Sequence, residues 1–282
     1  MHVTGVNTMR RLAVALGSVI VIGAALTGVV VAGRDPSLDR EWDEDVRVLS
    51  GTETLPGGAV RLTSVRDWRY TRDSVMSKAY FAESYDPADI TGLWLYEQEL
   101  GFGGRVAHTF LVFEFPESYG PARWLGLSVE TRREVGETYS LVGGVLKAFE
   151  VTHIWATEED LVTRRVELLD YPLTRYRVSV PGEYLPRIFK QFAAETAMLT
   201  TIPRWYNTLT TNCTSSLVSY VNEVKADAIP WNYSLVLTGR ADTYLTRLGY
   251  LDAASAEAIT REWLGANPLR PEPIPIARLE IP

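Results

Sequence analysis

The feature that most constrains the fold of this chain is an uncharged stretch that runs from Leu12 to Gly33. A helix rises about 1.5 Å per residue, so a helix of this length can cross a hydrocarbon core of roughly 30 Å. Arg10 and Arg11 precede the stretch, and acidic residues follow it. Because positively charged flanks stay in the cytoplasm, residues 1–11 are predicted to be cytoplasmic and the rest of the chain to lie on the periplasmic or extracytoplasmic side.

We interpret residues 12–33 as a retained transmembrane anchor. The alternative is a cleaved signal peptide, because Val30, Val31 and Ala32 resemble a cleavage site. The apolar stretch is longer than the core of a usual signal peptide, which favours the anchor. In either case the globular part is exported, and an exported thiol meets an oxidising compartment.

The composition is that of a globular protein, with 46% hydrophobic and 22% charged residues among 282. The net charge of −7 gives no basic surface for nucleic acid. A single cysteine excludes an internal disulfide and Cys-rich zinc sites, and three histidines argue against a histidine metal cluster. We therefore predict no metal, no cofactor and no nucleic-acid partner, and the sequence leaves the oligomeric state open.

The distribution of turn residues and prolines along the chain indicates one exported domain. Residues 34–58 are acidic and rich in turn residues, which is typical of a linker, and the proline-rich tail over 265–282 is predicted to be extended. The domain between them, over 59–264, should begin with antiparallel strands and continue with helices, which indicates an α+β fold. Strands are predicted over 59–65, 92–100, 106–115, 123–130, 151–156 and 171–180. Helices are predicted over 140–150, 157–166, 184–199, from Cys213 onward, over 236–248 and over 253–264.

Cys213 is the candidate nucleophile. A polar loop precedes it, and apolar residues follow it at helical spacing, so Cys213 is predicted to lie in the first turn of an amphipathic helix. Unpaired N–H groups and the helix dipole stabilise a thiolate at such a position. The alternative is that Cys213 is a small buried hydrophobic residue, which is the usual state of a lone cysteine.

His108 is the candidate base for this nucleophile. His2 precedes the predicted anchor, and His153 lies in a strand between apolar Val151 and Trp155. His108 lies in the strongest strand pattern, directly after a glycine-rich turn. The alternative is a buried histidine whose hydrogen bonds are satisfied within the core.

A residue that orients His108 is predicted on the neighbouring strand. A hairpin loop centred near Ser118 and Tyr119 sets His108 opposite residues 128–130. Ser128 and Glu130 share one strand face, so either could accept a hydrogen bond from the imidazole. The alternative for Glu130 is an ion pair with a nearby arginine, either Arg132 or Arg133.

The oxyanion of an acyl-transfer intermediate also needs hydrogen-bond donors. The backbone N–H of Cys213 is the first candidate, and Asn212, Asn207 or Tyr206 could supply the second. The alternative for the asparagines is loop capping. An anionic head group could be bound by arginines that could equally form internal ion pairs, namely Arg132, Arg133, Arg164 and Arg204.

Three motifs in this order carry a resemblance to a known family: VAHTFLVFEF, LGLSVETRREVGETYS and PRWYNTLTTNCTSSLV. They resemble the Lnb N-terminal periplasmic domain family over roughly residues 60–250. The order of histidine first and cysteine later also resembles the circularly permuted papain-like (NlpC/P60) superfamily, to which lecithin:retinol acyltransferase belongs. The resemblance places the family's histidine at His108 and its cysteine at Cys213, with the third polar residue sought in the stretch from Ser128 to Glu130.

The resemblance implies a permuted papain-like domain that performs thiol acyl chemistry at the bacterial envelope. Lnb proteins are associated with N-acylation of lipoproteins, in which a fatty acyl chain moves from a phospholipid to the amino-terminal cysteine of the lipoprotein. We therefore expect a membrane-anchored acyltransferase or hydrolase whose partners are the membrane and a phospholipid or lipoprotein substrate. The acceptor could be a lipoprotein amine, another amine or water. A cell-wall peptidase or amidase and a non-catalytic envelope binding module are the alternatives.

Overall fold

The computed structural model describes residues 31, 33–101, 103–269, 274, 279 and 280. The chain divides into two compact units, Met1–Pro36 and Ser37–Pro282. The cytoplasmic segment 1–11 and the anchor predicted over residues 12–33 lie outside the described residues, apart from positions 31 and 33. Within the described part of the chain, no helix combines the length and the apolar character that a membrane crossing requires.

The second unit contains a large, mostly antiparallel sheet. In chain order the strands are β1 (Gly51–Thr54), β2 (Val60–Arg66), β3 (Arg69–Tyr70), β4 (Val75–Ser77), β5 (Tyr80–Tyr85), β6 (Gly92–Glu99), β7 (Ala107–Glu114), β8 (Trp124–Arg132), β9 (Glu150–Thr157), β10 (Leu173–Arg177), β11 (Glu257–Ile259) and β12 (Leu279–Glu280). The sheet has the order β11-β10-β6-β7-β8-β9-β2-β5-β12, with β1 paired to β2, while β3 and β4 form a separate hairpin. Strands β2 and β9 pair in parallel, and the other pairs in this sheet are antiparallel.

Helices cover both faces of this sheet. They are α1 (Glu44–Arg47), α2 (Leu141–Val145), α3 (Glu158–Thr163), α4 (Leu185–Leu199), α5 (Cys213–Val224), α6 (Ala241–Arg247) and α7 (Arg261–Ala266). Side chains of β7 alternate between two cores, because successive strand residues point to opposite faces. Leu111 and Phe113 pack in the core that includes α4 and α5, whereas Phe110 and Val112 pack in the core that includes α3. The predicted α+β class is confirmed.

The β7–β8 hairpin fixes the position of His108. Its register pairs Phe110 with Ser128 and Glu114 with Trp124. Extending that register by two residues sets His108 opposite Glu130, which is the arrangement that the short local loop predicts.

The segment predicted to be a linker is part of the folded domain from Ser37 onward. Trp42 and Val46 are buried, and β1 pairs with β2. The acidic side chains that mark this segment are used in ion pairs, since Asp45 contacts Arg133 at 3.1 Å and Arg164 at 2.6 Å. These partners are distant in sequence, so the linker prediction over 34–58 is wrong for residues 37–58.

The carboxyl-terminal third also differs from its predicted helices. The helix predicted over 253–264 is wrong, because β11 pairs with β10 through Ile259 and Leu173. Thr260 then caps α7, and its side chain accepts a hydrogen bond from the N–H of Trp263. The helix predicted over 236–248 begins only at Ala241. In the tail, the backbone of β12 extends the sheet beside β5.

Candidate active site

The helix that carries Cys213 starts with a capping box at Asn212. Its side-chain oxygen accepts a hydrogen bond from the N–H of Ser215 at 2.8 Å, and Ser215 Oγ accepts one from the N–H of Asn212 at 2.9 Å. The amide nitrogen of Asn212 donates to the carbonyls of Thr208 and Leu235. The predicted helix start at Cys213 is confirmed. Because both amide hydrogens of Asn212 are used, this residue positions the loop and does not supply the predicted oxyanion donor.

The thiol of Cys213 lies in a buried environment that favours its charged form. Its Sγ is 3.9 Å from the carbonyl oxygen of Ala107 and 3.9 Å from Thr214 Oγ1. Burial raises the pKa of this thiol. The charge and hydrogen bond of His108, together with hydrogen bonds from the Thr109 N–H and the Thr214 hydroxyl, outweigh burial and lower the pKa below its ordinary value.

His108 connects the thiol to the polar residues on β8. Its Nε2 is 2.8 Å from Ser128 Oγ and 3.3 Å from Glu130 Oε1. This arrangement engages Nε2 and leaves Nδ1 as the ring nitrogen available to Cys213. Burial lowers the pKa of His108, but the charges of Glu130 and Cys213 outweigh burial and raise the pKa to about 9. The site therefore favours an imidazolium at neutral pH and shifts the thiol toward its thiolate form.

Glu130 is held as a carboxylate by a buried arginine that the sequence analysis missed. Burial raises the pKa of Glu130, but His108 and Arg165 hold it well below its usual range. Arg165 Nη2 donates to Glu130 Oε1 at 2.8 Å, and Ser128 Oγ donates to the same oxygen at 2.7 Å. The Arg165 guanidinium also donates to Gln98 Oε1 at 3.0 Å and lies 4.6 Å from the ring centre of Phe110.

A cavity of about 610 Å³ opens beside the thiol. Polar groups near its floor include Cys213, His108, Glu130 and Arg165, while its walls are formed by aliphatic and aromatic side chains. The apolar members are Leu100, Val106, Ala107, Val129, Tyr139, Leu141, Val142, Val145, Leu146, Leu169, Tyr171, Tyr206, Leu209, Val236 and Leu237. Across the described residues, no cluster of three or more potential metal ligands is present.

Tyr206 is the predicted donor that the structure brings to this cavity. It is buried, and its ring centre lies 6.2 Å from that of Tyr139. Burial and the negative charge of Cys213 raise the pKa of Tyr206, so its hydroxyl keeps its proton at neutral pH. A protonated hydroxyl beside the thiolate can donate to an oxyanion.

Three other predicted site residues lie outside the cavity lining that the structure describes. Arg132 donates to the backbone carbonyls of Val46 and Arg47. Arg204 pairs with Glu195 at 2.6 Å. Asn207 caps its own turn by accepting hydrogen bonds from backbone N–H groups of the 207–211 loop. Each side chain is engaged in local structure outside the cavity, so these contacts lend no support to its predicted role in substrate binding.

Arg133 and Arg164 do line the cavity, but both pair with Asp45 at its edge. Arg133 also contacts Asp43 at 3.5 Å, so two carboxylates accompany these two cations. His153 is a structural histidine, as its apolar strand neighbours predict. Its Nδ1 is 2.9 Å from Thr196 Oγ1, and burial lowers its pKa to about 3.

The fold and this site define an α+β domain with a buried cysteine–histidine pair at the start of a helix. The family model for the Lnb N-terminal periplasmic domain matches residues 77–241, which is more than half of the chain. The chain therefore belongs to the Lnb N-terminal periplasmic domain family, and this membership indicates an extracytoplasmic location. No curated protein and no solved structure matches the chain. The permuted papain-like fold consequently stays a prediction.

Proposed function

We propose that this domain is a cysteine-dependent acyltransferase or hydrolase that works through an acyl thioester on Cys213. The observation that carries this proposal is the coupling of two side chains. Cys213 and His108 line the same cavity, the charge of His108 lowers the pKa of the thiol, and the charges of Glu130 and Cys213 raise the pKa of the imidazole. A nucleophile and its general base require this relationship.

The proposed reaction has two steps of acyl transfer. The Cys213 thiolate attacks the carbonyl carbon of an ester or amide, and the carbonyl electron pair moves onto oxygen. The first N–H groups of a helix have no partner within the helix, so the Cys213 N–H can donate to this oxyanion, and the Tyr206 hydroxyl is the second donor. When the tetrahedral intermediate collapses, the leaving alcohol or amine takes the proton of His108. An acyl thioester on Cys213 results.

The second step returns the enzyme to its starting state. His108 accepts a proton from an amine or water as that acceptor attacks the thioester carbonyl, and Cys213 leaves as a thiolate. Glu130 stabilises the imidazolium throughout by its charge, and Ser128 and Arg165 hold Glu130 in place. The acceptor, an amine or water, decides whether the net reaction is transfer or hydrolysis.

The lining of the cavity favours a long-chain acyl donor, either a phospholipid or a lipoprotein acyl group. Aliphatic walls such as Val129, Val142 and Leu146 match a hydrocarbon chain. A peptide would bring backbone N–H and C=O groups against these walls, where they would lose their hydrogen bonds to water. This cost argues against the cell-wall peptidase or amidase.

The arrangement also supports the permuted papain-like (NlpC/P60-type) fold. A histidine on a central strand precedes, in the chain, a cysteine at the start of a helix packed on the same sheet. A polar residue on the adjacent strand orients the histidine, so the three roles follow the pattern that the resemblance implies.

The test is turnover of two substrate classes by the full chain. Vesicles that contain a fluorescent phospholipid and, separately, soluble peptidoglycan fragments are incubated with the wild type, Cys213→Ala and His108→Ala. We expect release of lysophospholipid by the wild type and by His2→Ala, the matched histidine control, and none by Cys213→Ala or His108→Ala. Equal turnover by Cys213→Ala, or cleavage of the peptidoglycan fragments alone, would refute the proposal.

A further inference from the structure

Exposed apolar side chains are concentrated around the mouth of the cavity. Of the thirteen large hydrophobic residues that are exposed within the described chain, six line this cavity. We refer to these six as the apolar rim: Val142, Val145, Leu169, Tyr171, Leu209 and Leu237. Single exposed hydrophobic residues are common on protein surfaces, but a contiguous group at a cavity mouth indicates an interaction site.

The apolar rim is assembled from segments that are far apart in sequence. Val142 lies on α2, Leu169 follows the turn after α3, Leu209 lies on the loop before α5, and Leu237 lies before α6. Val142 is 67% exposed and Leu209 is 50% exposed. Apolar surface is unfavourable in water, so these four converging segments form a surface that is stabilised when an apolar partner covers it.

We propose that the apolar rim docks on the surface of a phospholipid bilayer. The apolar lining is continuous from the exposed rim to buried Val129 and Tyr206 near Cys213, so the cavity receives ligands from an apolar phase. A second copy or a protein partner on the rim would close this mouth, whereas a bilayer covers the rim and supplies an apolar ligand through it. This docking does not depend on the chemistry proposed for Cys213.

Two further features favour a bilayer as the occupant. Trp231 and Tyr233 lie on the segment that leads to Leu237, and they are 78% and 49% exposed. Tryptophan and tyrosine are enriched at membrane interfaces, where one end of the side chain lies in an apolar environment and the other end in water. The sequence also contains the uncharged stretch from Leu12 to Gly33, which ends shortly before the folded domain begins.

The charges beside the rim predict which lipid compositions support docking. Arg133 and Arg164, which line the cavity, are both within 3.1 Å of Asp45. Arg133 also contacts Asp43 at 3.5 Å, so two carboxylates accompany the two cations. The apolar contact therefore dominates, and docking should occur on zwitterionic vesicles and persist at high salt.

The proposal is tested with single-cysteine probes in the full chain. Cys213 is the chain's one cysteine, so a Cys213→Ser background accepts Val142→Cys, Leu209→Cys or Leu237→Cys, each labelled with an environment-sensitive fluorophore. Met76→Cys and Ile202→Cys are the matched controls, because these residues are 67% and 58% exposed and lie outside the cavity lining that the structure describes. The proteins are reconstituted in phosphatidylcholine vesicles with and without lipids that carry a shallow spin-label quencher.

We expect quenching at the three rim positions to exceed that at the two controls by about twofold or more, with no loss at 1 M salt (roughly a 3 Å screening length). Equal quenching at rim and control positions would overturn the proposal. Excimer emission from pyrene at position 142 in detergent, without vesicles, would also overturn it, because a second copy would then occupy the rim. The probe background lacks the Cys213 thiol, so failure of docking and failure of the proposed acyl chemistry are separate results.

Discussion

Arg165 donates a hydrogen bond from Nη2 to Oε1 of Glu130 across 2.8 Å. The same oxygen lies 3.3 Å from Nε2 of His108. The buried arginine and the candidate base therefore share one carboxylate oxygen, which links the floor of the cavity to the interior of the domain. A chain of contacts runs from Gln98 through Arg165, Glu130 and His108 to Cys213.

Arg165→Met is expected to destabilise the domain by ~2–4 kcal/mol, because it leaves Glu130 as a largely buried carboxylate without its arginine partner. The control is the double variant Arg165→Met with Glu130→Gln, which removes the unpaired charge and should recover part of the loss. Urea unfolding of the two single variants and the double variant measures the coupling. Additive losses in the double variant would contradict a direct interaction.

Glu130→Gln should lower the pKa of His108 from about 9, because it removes the carboxylate that stabilises the imidazolium. NMR titration of the imidazole measures this change directly. Glu134→Gln is the matched control, since Glu134 pairs with Arg40 at 2.8 Å and should leave His108 unchanged. An unchanged titration of His108 in Glu130→Gln would show that the carboxylate does not stabilise the imidazolium.

Alkylation of Cys213 by iodoacetamide should follow a thiol pKa below the ordinary value, because the rate tracks the thiolate. In His108→Ala the burial that raises the pKa remains while the cation that lowers it is lost. The midpoint of the pH–rate profile is therefore expected to move upward, with slower alkylation at neutral pH. His2→Ala should keep the wild-type profile. Superimposable profiles for the wild type and His108→Ala would contradict the coupled pair.

The lowered pKa of His153 predicts that the domain loses stability in mild acid. Its pKa is about 3 in the folded domain and about 6.5 when unfolded, so the unfolded chain binds a proton first as pH falls. The contribution of His153 to the free energy of unfolding is complete above about pH 6.5. It decreases by about 1.4 kcal/mol per pH unit as the pH falls toward the pKa of the folded state. Urea unfolding at pH 7 and pH 5 should show a smaller pH difference for His153→Gln than for the wild type. An equal difference in both proteins would rule out this account.

The parts of the site that depend on local structure could be predicted from the sequence. The short loop between β7 and β8 determines the register that brings His108 to Ser128 and Glu130, and the polar loop before Cys213 carries its own cap at Asn212. The helix cap joins residues three positions apart, and the hairpin joins two consecutive strands through one connection, so single-sequence patterns specify both.

The parts that depend on long-range packing could not be predicted. Arg165 lies 35 positions from Glu130 in the chain, and an arginine in a short helical segment gives no sign that it will be buried. Asp45 meets Arg164 across 119 positions, so the acidic segment was interpreted as a linker although it is folded onto the domain. Arg132 was predicted to bind substrate, but it lies 4.2 Å from the ring centre of Trp42. Ion pairs and ring contacts between distant residues leave no periodic pattern in the sequence.

The most direct test of the central claim is the mass of Cys213 after the wild-type protein is mixed with phospholipid vesicles and quenched in acid. The account predicts a peptide containing Cys213 that carries one fatty acyl group, which neutral hydroxylamine removes because the link is a thioester. Arg165→Lys should accumulate the same adduct more slowly, and Cys213→Ala should carry none. A wild-type Cys213 peptide that stays unmodified while lysophospholipid is released would contradict the account, as would an adduct that hydroxylamine does not remove.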